Sequence, residues 1–235
     1  MQKIKASILS TRPIDKDVIN HALSKNILID VVSFIETEAV DSLDIYEEIR
    51  TVLTESAVVV FTSMNAVEAV AAHLDDFYKP DWTIYCIGNT TKKLVIEYFG
   101  EELIASTADN AKELASTIVE DDVTNEVIFF CGDKRRDELS SILNENDIDV
   151  NEIEVYHTNM IHHTIEKKYR GILFFSPSAV ESFFSTNKLN EKTILFAIGN
   201  TTASALKKFT KNKIVVADEA NKNNLAENAI EYFNE

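Results

Sequence analysis

The 235-residue chain carries 39 acidic against 23 basic side chains, a formal charge of −16, which argues against a nucleic-acid partner because phosphate binding needs a basic surface. No apolar stretch approaches the roughly 20 residues of a membrane span, and the opening MQKIKASILSTRP lacks the apolar region and small-residue cleavage site of a signal peptide. Cys86 and Cys131 form no CxxC pair, which suits buried thiols in a reducing cytoplasm.

In chain order, Ala6 to Leu9 read as a first strand, closed by Ser10-Thr11-Arg12-Pro13, and Ile14 to Ser24 as a helix with Val18, Ile19, Ala22 and Leu23 on one face. The segment NILIDVVSFIETEAV is extended but too long for one ordinary strand. Helices are expected over 43–53, 66–74, 91–99, 111–119 and 135–143, alternating with strands over 58–62, 83–87, 103–105 and 126–130. Gly100 suits the position after a helix end. A second extended stretch, IDVNEIEVYHTNM, follows. From Gly171 the chain reads strand, helix, strand, helix, then a strand over 214–217 and a helix over 225–233.

The chain states one pattern twice. VVVFTSMNAVEAV (Val58 to Val70) echoes GILFFSPSAVESF from Gly171, and TIYCIGNTTKKL (Thr83 to Leu94) echoes TILFAIGNTTASAL from Thr193. Such a repeat implies two similar halves with a shared cleft between them. Strands alternating with helices imply parallel sheets covered on both faces. The expected fold is therefore α/β: two similar three-layer αβα lobes joined by a two-stranded connector. The C-terminal part has too few strands for a sheet of its own, so it borrows the N-terminal strand–helix unit. Residues 1–34 with 160–235 form one discontinuous domain, 38–155 the inserted one, and 35–37 with 156–159 the connector strands.

Ligands of open α/β sheets bind off the carboxyl ends of the strands. There the sequence places Ser63, Gly88, Asn89 and Thr90 in one half and Ser176, Gly199, Asn200, Thr201 and Thr202 in the other. In IGNTT the glycine permits a tight turn and close backbone approach. Asn and Thr then cap a helix whose free N–H groups suit an anion; the same residues are also ordinary caps. Asn65-x-x-Glu68 and Ser178-x-x-Glu181 resemble capping boxes, which leaves the Ser63 and Ser176 hydroxyls for a ligand. With no His or acid partner placed to activate them, their role is binding rather than nucleophilic attack.

Lys134, Arg135 and Arg136 sit at an expected helix start among Asp133, Asp137 and Glu138. They form either a solvated charged face or, with Gly132, an anion-binding corner. Arg12 is likewise either a surface arginine or an anion clamp. Salt screens exposed charges beyond about 8 Å, so a local donor-rich pocket outweighs the negative global field. His157, His162 and His163 have no ligand spacing for a metal, and no phosphate-cradling glycine motif occurs.

Taken in order, STRP, VVVFTSMNAVEA, YCIGNTT, FFCGDKRRDEL, EVYHT, LFFSPSAVESF and FAIGNTTASAL resemble the uroporphyrinogen-III synthase family across nearly the whole chain. The resemblance implies two α/β lobes, a two-stranded connector, and closure of linear hydroxymethylbilane into uroporphyrinogen III with loss of water and inversion of ring D. It implies no cofactor and no metal, and the chain is read as a cytoplasmic monomer. The polycarboxylate substrate suits a cleft of backbone N–H groups, hydroxyls and a few Arg or Lys. Tyr156 matches the family's Val-Tyr-x-Thr and is the candidate general acid for the departing hydroxyl; the alternative is a packing role with its hydroxyl on a backbone carbonyl. Asn200 stands where many relatives have proline, and the first helix lacks their usual glycine near Lys25-Asn26. The competing class is a two-lobed protein that binds a small anion without chemistry.

Overall fold

The computed structural model describes residues 4–74, 79–88, 90–217 and 222–234. Two compact units divide the chain, Met1–Glu36 with Asn159–Glu235 and Thr37–Thr158. Each is an αβα layer built on short apolar strands, as the continuous hydrophobic runs of the sequence demand.

In the discontinuous unit the strands are β1 (Ala6–Ser10), β2 (Ile27–Val31), β9 (Gly171–Phe174), β10 (Ile194–Ala197) and β11 (Ile214–Val216), in sheet order β11-β10-β9-β1-β2. Every pairing is parallel, with Leu9 opposite Ile172 and Leu195 opposite Ile172 on the other side. The chain's first strand thus lies beside β9, which explains how a C-terminal segment short of strands completes its sheet. One face buries α1 (Lys16–Ser24) and α9 (Lys222–Asn234) through Val18, Ala22, Leu225, Ala229 and Phe233. The other buries α7 (Pro177–Thr186) and α8 (Asn200–Phe209) through Val180, Phe183, Ala203 and Leu206. Each large apolar side chain among these contributes about 1.5–3 kcal/mol on leaving water.

The continuous unit holds β3 (Ile35–Ala39), β4 (Ala57–Phe61), β5 (Trp82–Ile87), β6 (Ile104–Ala108), β7 (Glu126–Gly132) and β8 (Asp149–Met160), ordered β3-β8-β7-β4-β5-β6. β4, β5, β6, β7 and β8 pair in parallel. Helices α2 (Leu43–Thr54), α3 (Met64–Ala71) and α4 (Thr90–Tyr98) cover one face around Phe61, Phe130 and Trp82. α5 (Ala111–Asp121) and α6 (Glu138–Asn144) cover the other around Phe129, Leu114 and Leu143. Residues 35–37 and 156–159, expected as connector strands, lie within β3 and β8, which are hydrogen-bonded neighbours in this sheet.

Three local departures from the sequence reading have physical causes. α3 starts at Met64 rather than Ala66, because the Ser63 hydroxyl caps it. α6 starts at Glu138 rather than Arg135, because the preceding loop is tied by side chains to β8. Past the end of α1, Asn26 adopts φ 63°, the left-handed position usual for glycine and tolerated by asparagine. That is how the helix closes without a glycine.

Candidate active site

Parallel strands in one sheet end at one edge, so each unit gathers its strand-end loops there. In the continuous unit that edge carries Ser63 after β4, Gly88 after β5, Gly132 at the end of β7, and Tyr156 on β8. In the discontinuous unit it carries Arg12 after β1, Ser176 after β9, and Gly199 after β10.

Tyr156 is the best-defined group. β8 has a bulge here: Cys131 pairs with Glu154, but the next residue, Gly132, pairs with Tyr156. Val155 is the extra residue. In a regular strand Tyr156 would share the face of Glu154, opposite Val155. The bulge instead turns Tyr156 onto the face where Val155 and Phe130 are buried, beside α3. Its ring lies across Gly132, where a Cβ would come within 2.3 Å of the tyrosine Cζ. Only glycine fits under that ring. The phenol donates to Ser63 Oγ at 3.1 Å, a side-chain partner rather than the backbone carbonyl of the alternative reading. Burial, the largest influence, pushes the Tyr156 pKa up, and the Ser63 hydrogen bond opposes it. The group is therefore a neutral phenol throughout the physiological range.

Ser63 and Ser176 are themselves the helix caps. Ser63 Oγ accepts from Asn65 N at 3.2 Å and Ser176 Oγ from Ala179 N at 3.1 Å. This corrects the expectation that Asn65 and Ser178 do the capping. Each hydroxyl keeps its own proton to donate; Ser63 Oγ already accepts twice, from Asn65 N and Tyr156, and Ser176 Oγ once. In the second IGNTT copy the cap is Gly199, with no side-chain bond to α8, so Asn200 is the first helical residue and not the cap. Gly199 has φ −173°, and a Cβ placed on it would meet nothing within 4 Å. Its role is open space above a helix start rather than a tight turn. The Gly88 N–H bonds Ala108 O at 2.9 Å, which removes it as a ligand donor.

Thr90 and Thr201 are exposed, whereas Thr202 is 3% exposed. Burial in the helix–sheet core withdraws Thr202 from any ligand. Asn89 lies outside the described residues. Arg135, expected at an anion-binding corner, points inward instead: Nε donates to Glu152 at 2.7 Å, Nη2 also pairs with Glu152, and Nη1 meets Glu154 at 3.1 Å. The Glu152 bond raises the Arg135 pKa, and the same bond holds the Glu152 carboxyl below its ordinary value. Arg135 is also not in a helix first turn, since α6 begins at Glu138. Lys134 remains half-exposed, 3.5 Å from Asp133.

Arg12 is partly buried, its guanidinium 5.7 Å from the Phe175 ring centre. No carboxylate pairs with it among the described residues. Burial lowers its pKa, yet a guanidinium stays charged at any physiological pH. A desolvated cation with no carboxylate of its own is well suited to one on a ligand.

Sequence reasoning missed Asp133, whose Oδ1 accepts from Thr158 N at 2.8 Å, and the two glutamates that hold Arg135. The available signal was Glu152 and Glu154, two residues apart and so on one face of the strand, which calls for a nearby cation.

Two α/β units that carry hydroxyls, glycines and one partly buried phenol at their strand ends, with no activated nucleophile among the described residues, present groups suited to holding a ligand. The family model "Uroporphyrinogen-III synthase HemD" matches residues 26–227, and the chain belongs to that family. A mutant uroporphyrinogen III synthase from Thermus thermophilus has a TM-score of 0.67 at 14% identity, over 97% of this chain and 98% of that one. The Helicobacter pylori uroporphyrinogen-III synthetase gives 0.66 at 19% identity, over 97% and 99%. At such identities these likenesses establish the fold. Comparison with the curated proteins gave no match.

Proposed function

We propose that this chain closes linear hydroxymethylbilane into uroporphyrinogen III, with loss of water and inversion of ring D, as a hydro-lyase needing neither metal nor organic cofactor. The observation that carries the reading is the family match across residues 26–227, joined to one oriented phenol, Tyr156 on Ser63. Tyr156 acts as the general acid for the departing hydroxyl. A raised pKa does not prevent this, because the leaving group develops toward hydroxide, a much stronger base than a phenolate. The phenol proton therefore transfers downhill as the C–O bond breaks, and Ser63 is placed to donate to the resulting phenolate.

Substrate carboxylates are held by Arg12 and Lys134, by the hydroxyls of Thr90, Ser176 and Thr201, and by backbone and amide groups at Gly132, Gly199 and Asn200. Holding the bilane in one pose is the larger part of catalysis, since an oriented chain closes faster by the effective-molarity advantage of intramolecular reaction. No described helix is long and apolar enough to cross a membrane, and both thiols are free and buried. These features support a cytoplasmic protein, and we propose a monomer.

The test is to supply hydroxymethylbilane and separate the uroporphyrinogen isomers by chromatography. Isomer III is expected to predominate. Isomer I alone, formed at the rate without protein, overturns the enzyme reading in favour of a binding protein.

A further inference from the structure

We propose that Arg135 is a positioning residue for Tyr156, acting through the bulge in β8 rather than on substrate. The inference rests on Tyr156 being the reacting donor. A bulge forfeits regular pairing at its extra residue. If β8 relaxed to simple alternation, Tyr156 would follow Glu154 to the opposite face and leave Ser63. Something must hold the strand out of register, and the loop after β7 does so from both sides of Val155.

Before the bulge, Arg135 grips Glu152 through Nε and Nη2 and Glu154 through Nη1 at 3.1 Å. After it, Asp133 N donates to Tyr156 O at 3.2 Å and Thr158 N donates to Asp133 Oδ1 at 2.8 Å. The loop itself is folded tightly, with Arg135 N on Gly132 O at 3.1 Å. It therefore seizes β8 at residues 152, 154, 156 and 158, bracketing the bulge. Ser140 adds a second donor to Glu152, fixing the carboxylate that Arg135 grips most firmly.

A planar guanidinium can meet two carboxylates two residues apart on one strand face; an ammonium is a single point charge and cannot span both with directed bonds. The same pairing removes Arg135 from substrate binding. One cation facing two carboxylates presents no positive field to a polyanion.

The test uses the full chain with Arg135→Ala and Arg135→Lys, following kcat and KM with hydroxymethylbilane and the ring resonance of Tyr156 in labelled protein, assigned by Tyr156→Phe. The expected results are a kcat about 10- to 100-fold lower with KM held within about twofold, a shifted Tyr156 resonance, and no rescue by lysine. Within the Tyr156→Phe background, Arg135→Ala should add no further loss of kcat. Unchanged kcat, or a rise in KM alone, overturns the proposal, as does an unmoved ring resonance in folded Arg135→Ala. If Tyr156→Phe itself keeps full turnover, the donor reading fails separately, and the ring resonance alone still decides whether Arg135 sets the position of Tyr156. Should Arg135→Ala not fold, Glu154→Gln, which removes one of the paired carboxylates, carries the same measurements with the same outcomes.

Discussion

The loops that follow β4 and β9 share one plan: an apolar strand ends in a serine whose hydroxyl caps the next helix, through Asn65 N in one case and Ala179 N in the other. Their surroundings differ. Ser63 also receives a phenol from a bulged strand of its sheet, whereas the strand beside β9 supplies a guanidinium over Phe175 with no carboxylate among the described residues. The repeat has kept what each helix needs and diverged in what each edge offers a ligand. Repetition in the sequence thus marks structural necessity, and function is found where the copies differ.

Substitutions that strike the differences should separate turnover from binding. The largest effect is expected for Tyr156→Phe, which keeps the ring over Gly132 and removes the proton: kcat should fall about 10²- to 10⁴-fold, with KM nearly unchanged, in steady-state kinetics. Gly132→Ala is next. Its new methyl group would sit 2.3 Å from the tyrosine Cζ, so the ring must move, and a displacement of about 1 Å costs on the order of 100-fold in kcat. Arg12→Gln should act on the other edge, raising KM about tenfold or somewhat more, the worth of one charge-assisted hydrogen bond, while kcat holds. A fall in kcat with constant KM for Arg12→Gln would erase the division of labour.

Much of this was legible in the residues. Continuous runs such as VVVF and LFF suit strands buried on both faces, and their alternation with helical segments implies the parallel sheets. The chain's ordered motifs pointed to the family and to Tyr156. What escaped depends on neighbours distant in sequence. The β8 bulge is a relation between Val155 and the end of β7, and nothing in IEVYHT signals an extra residue. Arg135 reads as a surface cation until Glu152 and Glu154 are placed against it. The true caps are hidden for a different reason, since Asn65-x-x-Glu68 carries the acidic fourth residue of a capping box and Ser63-x-x-Ala66 does not. Thr202 reads like Thr201, but helical rotation carries it to the core.

Two equivalent caps serve unequal edges, and the two serines allow a direct comparison. Ser63→Ala and Ser176→Ala each remove one cap and should cost a similar stability of about 1 kcal/mol in denaturant unfolding. Measured side by side with hydroxymethylbilane, Ser63→Ala should lower kcat about tenfold, having lost the hydrogen bond that orients Tyr156, while Ser176→Ala keeps kcat within about twofold. Equal losses of kcat in the two variants, or a loss confined to Ser176→Ala, would contradict the account.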